Sequence, residues 1–260
     1  MENILELKNL SVARGGKKIF SGITLSIPSG CNTAILGPNG AGKSTFLKLL
    51  TREIYPIPAA GSSLEIFGEK LWNIWELRSR IGIVSNDLQY MFPAETLGND
   101  VVRSGFFASI GMWKDRRTTP EQERDAKKIL RELGIEKLAK REFGSCSTGE
   151  QRRLILARAL VSKPSALILD EPTSGLDLRA AILYVEFLRK LMREGTTVIL
   201  VTHNIGEIPP EIRRVILIKS GTIAGDGVPE KMLTSKSLSA LFEIPLSIAQ
   251  NNGFFQAAPA

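Results

Sequence analysis

Residues Gly37-Pro38-Asn39-Gly40-Ala41-Gly42-Lys43-Ser44-Thr45 follow an apolar run that ends at Leu36. Their spacing fits the pattern G-x-x-x-x-G-K-[S/T], in which glycines let successive backbone N–H groups point at phosphate oxygens. The helix that follows adds its positive dipole end, so anion binding is built into the main chain. The chemistry implied is binding of a nucleoside triphosphate, with Lys43 reaching the β- and γ-phosphates and the Ser44 hydroxyl a Mg²⁺ ion. A glycine-rich turn that merely joins strand to helix would give no reason for Lys and Ser at those positions.

Further along, the apolar run 166–169 ends in Asp170-Glu171. Side chains of a strand alternate in direction, so the two carboxylates can do different work: Asp170 in the Mg²⁺ shell, Glu171 polarising a water toward the γ-phosphate. His203 is the single histidine and follows the run 198–202. An isolated histidine is commonly a hydrogen-bonded core residue. The carboxyl end of a parallel strand is instead where such sheets bind ligands, and from there His203 can contact the γ-phosphate and help fix the water.

Short runs rich in Ile, Val and Thr at 4–7, 23–27, 33–36, 63–66, 81–84, 167–169, 198–202 and 215–219 read as strands. Leu178, Ile182, Val185, Leu188 and Met192 repeat at three- and four-residue steps and predict a helix with one apolar face. The alternation predicts an α/β fold of the P-loop NTPase kind, with a mainly parallel sheet core bordered by an antiparallel β layer. Strand signals vanish over about 87–160, which predicts an inserted helical subdomain. Pro229 suits the first turn of a short helix. One domain is expected over 1–245, followed by a mobile C-terminal tail at 246–260.

A composition of 43% hydrophobic and 23% charged residues is that of an ordinary globular chain, and 260 residues can bury a full core. The longest apolar stretches, such as 166–169 and 198–201, fall far short of the roughly 20 residues that span a bilayer. Met-Glu-Asn-Ile lacks the basic and apolar regions of a secretory leader, so export is not expected. Two distant cysteines, Cys31 and Cys146, give no metal-ligand spacing and suit a reducing cytosol. The net charge of +7 is scattered, so no specific nucleic-acid binding is expected.

Cys146-Ser147-Thr148-Gly149-Glu150-Gln151-Arg152-Arg153-Leu154-Ile155-Leu156-Ala157-Arg158-Ala159-Leu160 precedes the carboxylate strand. It resembles the signature segment of ATP-binding cassette (ABC) ATPases. The phosphate loop, Asp170-Glu171, Ser174-Gly175-Leu176-Asp177 and His203 follow that family's order, from about Leu5 to Phe242. Physically, Ser147 and the Gly149 amide at a helix start form a second anion site. The resemblance implies that this turn, with Glu150 in it, reaches the γ-phosphate held by another cassette. It implies a head-to-tail homodimer or a pairing with another cassette, with ATP and Mg²⁺ at the seam and Asp177 coupling the two sites. It also implies a cytoplasmic subunit, free or peripheral on the inner face of the membrane, that energises an integral membrane permease. The alternative is a stand-alone soluble ATPase that acts as an ATP-driven switch.

Several positions depart from the family pattern. Arg14 stands where an aromatic ring would stack on adenine, and a guanidinium plane can take that role. Asn86 stands where a glutamine contacts nucleotide and metal, with Gln89 a little beyond. Cys146, Thr148 and Glu150 replace Leu, Gly and Gln. If position 148 required positive φ, a β-branched Thr would be strained; either the turn is helical there or activity is reduced. Residues 81–86 and 101–111 resemble the molybdenum-transport ATPases of the ModF type. Phe106, Phe107, Met112 and Trp113 are either a docking surface for a membrane subunit or ordinary subdomain core. Trp72 and Trp75 read as packing residues, and Cys146 as an inert small residue.

Overall fold

The computed structural model describes residues 2–112 and 116–260, which leaves Trp113 outside the described residues. The chain forms two compact units, Met1–Trp72 with Thr197–Ala260, and Asn73–Thr196.

The first unit begins with strands β1 (Asn3–Arg14), β2 (Lys17–Pro28) and β3 (Thr33–Leu36), helix α1 (Lys43–Leu50) and strand β4 (Ser63–Ile66). β1 pairs antiparallel with β2 and, on its other edge, with β4. This is the antiparallel layer expected from the sequence. Leu5, Leu7, Leu10 and Val12 of β1 are buried; the step from Leu7 to Leu10 coincides with a register shift at Asn9, which takes φ +44°. Such a bulge restores the inward face after a slip in alternation.

The second unit carries α2 (Ile74–Arg80), β5 (Ile81–Val84), α3 (Asn86–Tyr90), α4 (Gly98–Arg103), α5 (Pro120–Glu132), α6 (Thr148–Leu160), β6 (Ala166–Asp170) and α7 (Leu178–Arg193). β5 and β6 pair in parallel, and the chain between them is helical, as the lost strand signal predicted. α6 is its centre: Leu154, Ile155, Leu156 and Ala157 are buried. Arg158 is buried too, its guanidinium donating to Ser104 Oγ at 3.2 Å and Ser109 O at 3.0 Å and lying 5.8 Å from the Phe92 ring centre. Burial, aided by Arg78, pushes its pKa down to about 10.

Two expectations change here. The predicted stripe of α7 holds for Val185, Leu188 and Met192, but Leu178 and Ile182 are 78% and 54% exposed. Tyr184 and Leu191 complete the buried face instead. Trp75 is 51% exposed, whereas Trp72 packs edge-on to Phe67 and donates its Nε1–H to Ile66 O at 2.8 Å. Arg116 lies over both the Trp75 and Phe107 rings at 5.4 Å. Phe106, Phe107 and Met112 are half-buried.

The chain returns to the first unit with β7 (Thr197–Thr202), β8 (Arg214–Lys219), β9 (Thr222–Gly227), α8 (Pro229–Met232), α9 (Ser235–Phe242), β10 (Leu246–Asn251) and β11 (Phe254–Pro259). β3 lies between β7 and β8 in parallel register on both sides, and β9 closes antiparallel on β8. Every residue of β3 and β7 is buried, the signature of strands covered on both faces. Pro229 opens α8 as predicted.

The C-terminal tail is a correction. Residues 246–259 form an antiparallel hairpin in which Asn252 and Gly253 turn at φ +49° and +82°, the sign pattern of the tight turn that matches strand twist. Leu246 N–H and Ile248 N–H donate to Ser239 Oγ and Ser235 Oγ, and Phe255 is buried. The small residues that suggested mobility form the exposed far end of a strand.

Candidate nucleotide site

The first unit holds residues 37–45, Arg14 and His203. Gly37 leaves the buried end of β3; a Cβ on it would lie 2.3 Å from Ile218 O. Gly42, the N-cap of α1, takes φ +110°, and a Cβ there would meet the Phe20 ring at 2.8 Å. Both positions therefore require glycine and keep the backbone bare. No side chain caps α1, so its first N–H groups are not engaged by a cap. Lys43 is buried and folds back, its Nζ donating to Gly37 O at 2.9 Å and Pro38 O at 3.2 Å. Asn39, Gly40 and Ser44 are exposed, while Ala41 and Thr45 are buried. A bare loop, an uncapped helix and an ammonium fit an oligophosphate.

Arg14 is exposed at the β1–β2 turn, where Gly15 and Gly16 take φ +56° and +77°. Phe20 and Ile19 of β2 back directly onto Gly42, so this hairpin borders the phosphate loop. His203 is exposed immediately after β7. Its turn is held by a pair that the sequence reading overlooked. Thr202 Oγ1 donates to buried Glu207 Oε2 at 2.7 Å and accepts from Asn204 N–H at 2.9 Å. The signal was there: a buried strand ending in Thr, followed by an acid five residues later.

The second unit holds Asp170, Glu171, Asn86, Asp177 and the signature turn. β6 ends at Asp170, and Glu171 lies beyond it at φ +47°, closing a turn in which its carbonyl accepts from Ser174 N–H at 3.1 Å. Glu171 lies outside the strand, so strand alternation does not set its direction. A non-glycine residue there costs roughly 1–2 kcal/mol, strain of the kind found at reacting sites. Asp170 is half-buried. Its carboxylate and the Ser44 hydroxyl are hard oxygen donors of the type Mg²⁺ takes. Asp177 caps α7, its Oδ1 accepting from Ala180 N–H at 2.8 Å.

Ser147 is the exposed N-cap of α6, and it forms a reciprocal box with Glu150: Ser147 Oγ accepts from Glu150 N–H at 3.3 Å, and Glu150 Oε2 from Ser147 N–H at 2.9 Å. Arg141 adds a bond to Glu150 at 3.2 Å. The Ser147 amide first, then Arg141, hold the Glu150 carboxyl below its ordinary range. Thr148 is the first residue of α6 and has no positive φ, so the turn is helical there and the β-branched residue is unstrained. A Cβ on Gly149 would make only ordinary contacts, 3.4 Å to Ala180 and 3.7 Å to Leu176. Local packing does not demand that glycine, and Ser147 beside it is exposed. Burial pushes the Cys146 thiol up, and its Sγ lies 3.4 Å from Glu142 O, in keeping with an inert residue. Asn86 begins α3 and its Oδ1 accepts a hydrogen bond from Arg152 Nη2; Gln89 is buried against Gln151.

Among the described residues no helix is long and apolar enough to cross a membrane. The ABC transporter family profile matches residues 20–174. An uncharacterised ABC transporter ATP-binding protein of Bacillus subtilis strain 168 is 34% identical, covering 95% of this chain and 94% of its own. A hemin import ATP-binding protein of Streptomyces coelicolor is 31% identical, covering 92% and 83%. A candidate metal-chelate type ABC transporter, solved in an inward-facing conformation, superposes with a TM-score of 0.81 at 28% identity, over 100% of this chain and 98% of its own. A dimeric ATP-binding cassette in a post-hydrolysis state with ADP and Pi gives 0.71 at 26% identity, over 86% and 98%. None of these four is named for molybdenum, so the ModF-type likeness is not what they share with the chain. The chain belongs to the ABC transporter family, as an ATP-binding and ATP-hydrolysing subunit with a P-loop NTPase fold.

Proposed function

We propose that the chain works as a head-to-tail dimer in which Ser147, Gly149 and Glu150 of one copy complete the nucleotide seated on residues 37–45 of the other, driving an integral membrane permease from the cytoplasmic face. The observation that carries this reading is the exposed Ser147 hydroxyl beside a glycine that local packing does not require, on a chain with a single phosphate loop. A cassette of similar fold has been solved as a dimer with ADP and Pi.

In this reading Lys43 turns from its carbonyls to the β- and γ-phosphates and offsets charge as the bond to the leaving ADP lengthens. Glu171 accepts a proton from the attacking water, and His203 orients that water and the γ-phosphate. Arg14 stacks on the base, and Asp177 lies at the seam. Ser44, Asp170 and Asn86 would hold Mg²⁺, which when bound neutralises phosphate charge. The ModF-type likeness of residues 81–86 and 101–111 stands beside relatives named for hemin import and for metal chelates. Both named cargoes of those relatives contain a metal, and a metal complex is the solute class we favour.

Glu171→Gln is the test. It should abolish turnover while ATP shifts the protein to a dimer on size exclusion; an active variant would remove Glu171 as the base. Ser147→Arg should abolish hydrolysis yet leave ATP binding by the monomer intact, and loss of binding would overturn the cross-copy role. Capture from cells should recover a membrane protein, whereas recovery of soluble partners alone would favour the stand-alone switch.

A further inference from the structure

α1 ends with Thr51 as its C-cap, and the next residue, Arg52, takes φ +55°. Glycine fills such a left-handed position after a helix without strain, so an arginine is held there against its backbone preference. Its Nη2 donates to Lys70 O at 2.7 Å and to Leu64 O at 3.3 Å, which ties the end of α1 to β4 and the turn beyond it. Those bonds use one nitrogen only. Nε is buried and meets no acceptor, and Nη1 makes no hydrogen bond among the described residues. The nearby acids are engaged elsewhere: Glu53 Oε1 accepts from Thr51 Oγ1 at 2.8 Å, and Glu65 lies 3.8 Å from Lys70 Nζ. Burial lowers the pKa of Arg52, offset only by Tyr55. Arg52 is thus a half-buried cation with unmet donors.

Arg52 lines an open cleft of about 480 Å³, within the size range of small-molecule sites. Lys70 lines it as a second cation, its side chain 70% exposed, and no lining residue is a carboxylate. Tyr55, Pro56 and Pro58 supply an apolar face, on which the Tyr55 ring is 67% exposed. The walls are braced from within the same unit. Ile57 N–H donates to Ser11 O of β1 at 2.8 Å, and Ser62 Oγ donates to Ala59 O at 2.8 Å while accepting from Ala59 N–H at 3.2 Å. Two cations without a lining acid select an anion, and an open phenol ring beside two prolines selects a flat apolar body.

We propose that this cleft is a second ligand site, for a small phosphomonoester that carries an aromatic ring. The phosphate lies between Arg52 and Lys70, and the ring rests on Tyr55 and the prolines. Arginine offers phosphate a fork of N–H donors and lysine a point charge, so the pair suits a dianion. None of these residues belongs to the nucleotide site. α1 is about 12 Å long and puts Arg52 at the end opposite Lys43, so the two sites can be filled separately.

The test is a titration of the full chain, its phosphate loop saturated with Mg-ADP, by phenyl phosphate, inorganic phosphate and benzyl alcohol, followed through amide chemical shifts. Phenyl phosphate should bind with a Kd of about 1 mM or tighter, the scale for so small a molecule, and shift the amides of residues 52–70. Inorganic phosphate and benzyl alcohol each keep one half of the match and should bind at least about tenfold more weakly. Tyr55→Ala should weaken phenyl phosphate about 3- to 10-fold, and Lys70→Ala about 2- to 5-fold. Arg52→Gly relieves the backbone while removing the guanidinium and should weaken it about tenfold or more. Should Arg52→Gly fail to fold for want of its bonds to Leu64 and Lys70, the double variant Tyr55→Ala with Lys70→Ala, two exposed side chains, decides the matter. No shifts at residues 52–70, equal affinity for inorganic phosphate, or unchanged affinity in the variants overturns the proposal.

Discussion

Leu36 stands opposite Thr202 in the parallel register of β3 and β7, so Gly37 and His203 leave the sheet side by side. The histidine is exposed at the strand end where the phosphate loop begins, and the Thr202–Glu207 bond fixes its turn. His203→Ala should leave nucleotide affinity within about twofold and lower kcat by about 100-fold, the lower end of what a positioned acid–base group supplies. Stopped turnover with retained binding of a fluorescent ATP analogue is the expected pair of results. A large loss of binding would make His203 an affinity residue instead.

Gly42 opposes a side chain twice over, by its dihedral and by its neighbour. Alanine would have to hold φ near +110° and push the Phe20 ring from 2.8 Å. Gly42→Ala should destabilise the protein by about 2 kcal/mol from the dihedral and the overpacking together. It should also weaken ATP binding, because the first amides of α1 must turn away from the phosphates. Chemical denaturation and nucleotide titration on the same sample check both; an unchanged unfolding midpoint would show that the loop relaxes freely.

Much of this was readable in the chain. The eight strand runs are strands because their Ile, Val and Leu side chains are buried, and the helical insert announced itself by losing that signal. Residues 37–45 were legible because Lys43 and Ser44 have no packing reason to follow a glycine turn. What escaped was set by tertiary context. The stripe of α7 drifts because only its C-terminal part meets a core, which leaves Leu178 in solvent. The direction of Glu171 depends on one left-handed residue that no periodicity encodes. Arg152 is buried and bonds Asn86, 66 positions away, a pairing that no local pattern encodes. Asn252-Gly253, by contrast, was a visible hairpin signal overridden by the small residues after it.

Glu150 replaces the neutral amide usual in this signature, so the turn acquires a titratable cap. Its carboxyl lies below the ordinary 4.5 because the ionised form accepts the Ser147 amide and pairs with Arg141. A carboxylate lowered on folding contributes stability that is complete above the unfolded value and is lost as pH falls through the folded one. Glu150→Gln keeps a capping oxygen but discards the charge. The wild type should melt about 1–3 °C above the variant at neutral pH, the scale of one partly exposed ion pair. That gap should close between about pH 5 and pH 3 in differential scanning fluorimetry. A gap that widens on acidification would show that the carboxyl is held above its ordinary range.

Phe255 is 93% buried in the terminal hairpin, and the turn ahead of it packs so closely that a Cβ on Gly253 would stand 2.9 Å from Pro210. A hairpin of two strands has little stability by itself, so its order must come from what it rests on. Ser235 and Ser239 of α9 bind one strand through backbone N–H groups, and Phe255 anchors the other. Phe255→Ala removes that anchor and should cost about 3 kcal/mol in global unfolding, in line with other buried aromatic truncations. If residues 246–260 were a loose tail, the substitution would change stability by less than about 0.5 kcal/mol, as surface substitutions do. Hydrogen exchange separates the two outcomes by site. The amides of Leu246 and Ile248 should be protected in the wild type and exchange rapidly in Phe255→Ala, while those of β3 keep their protection.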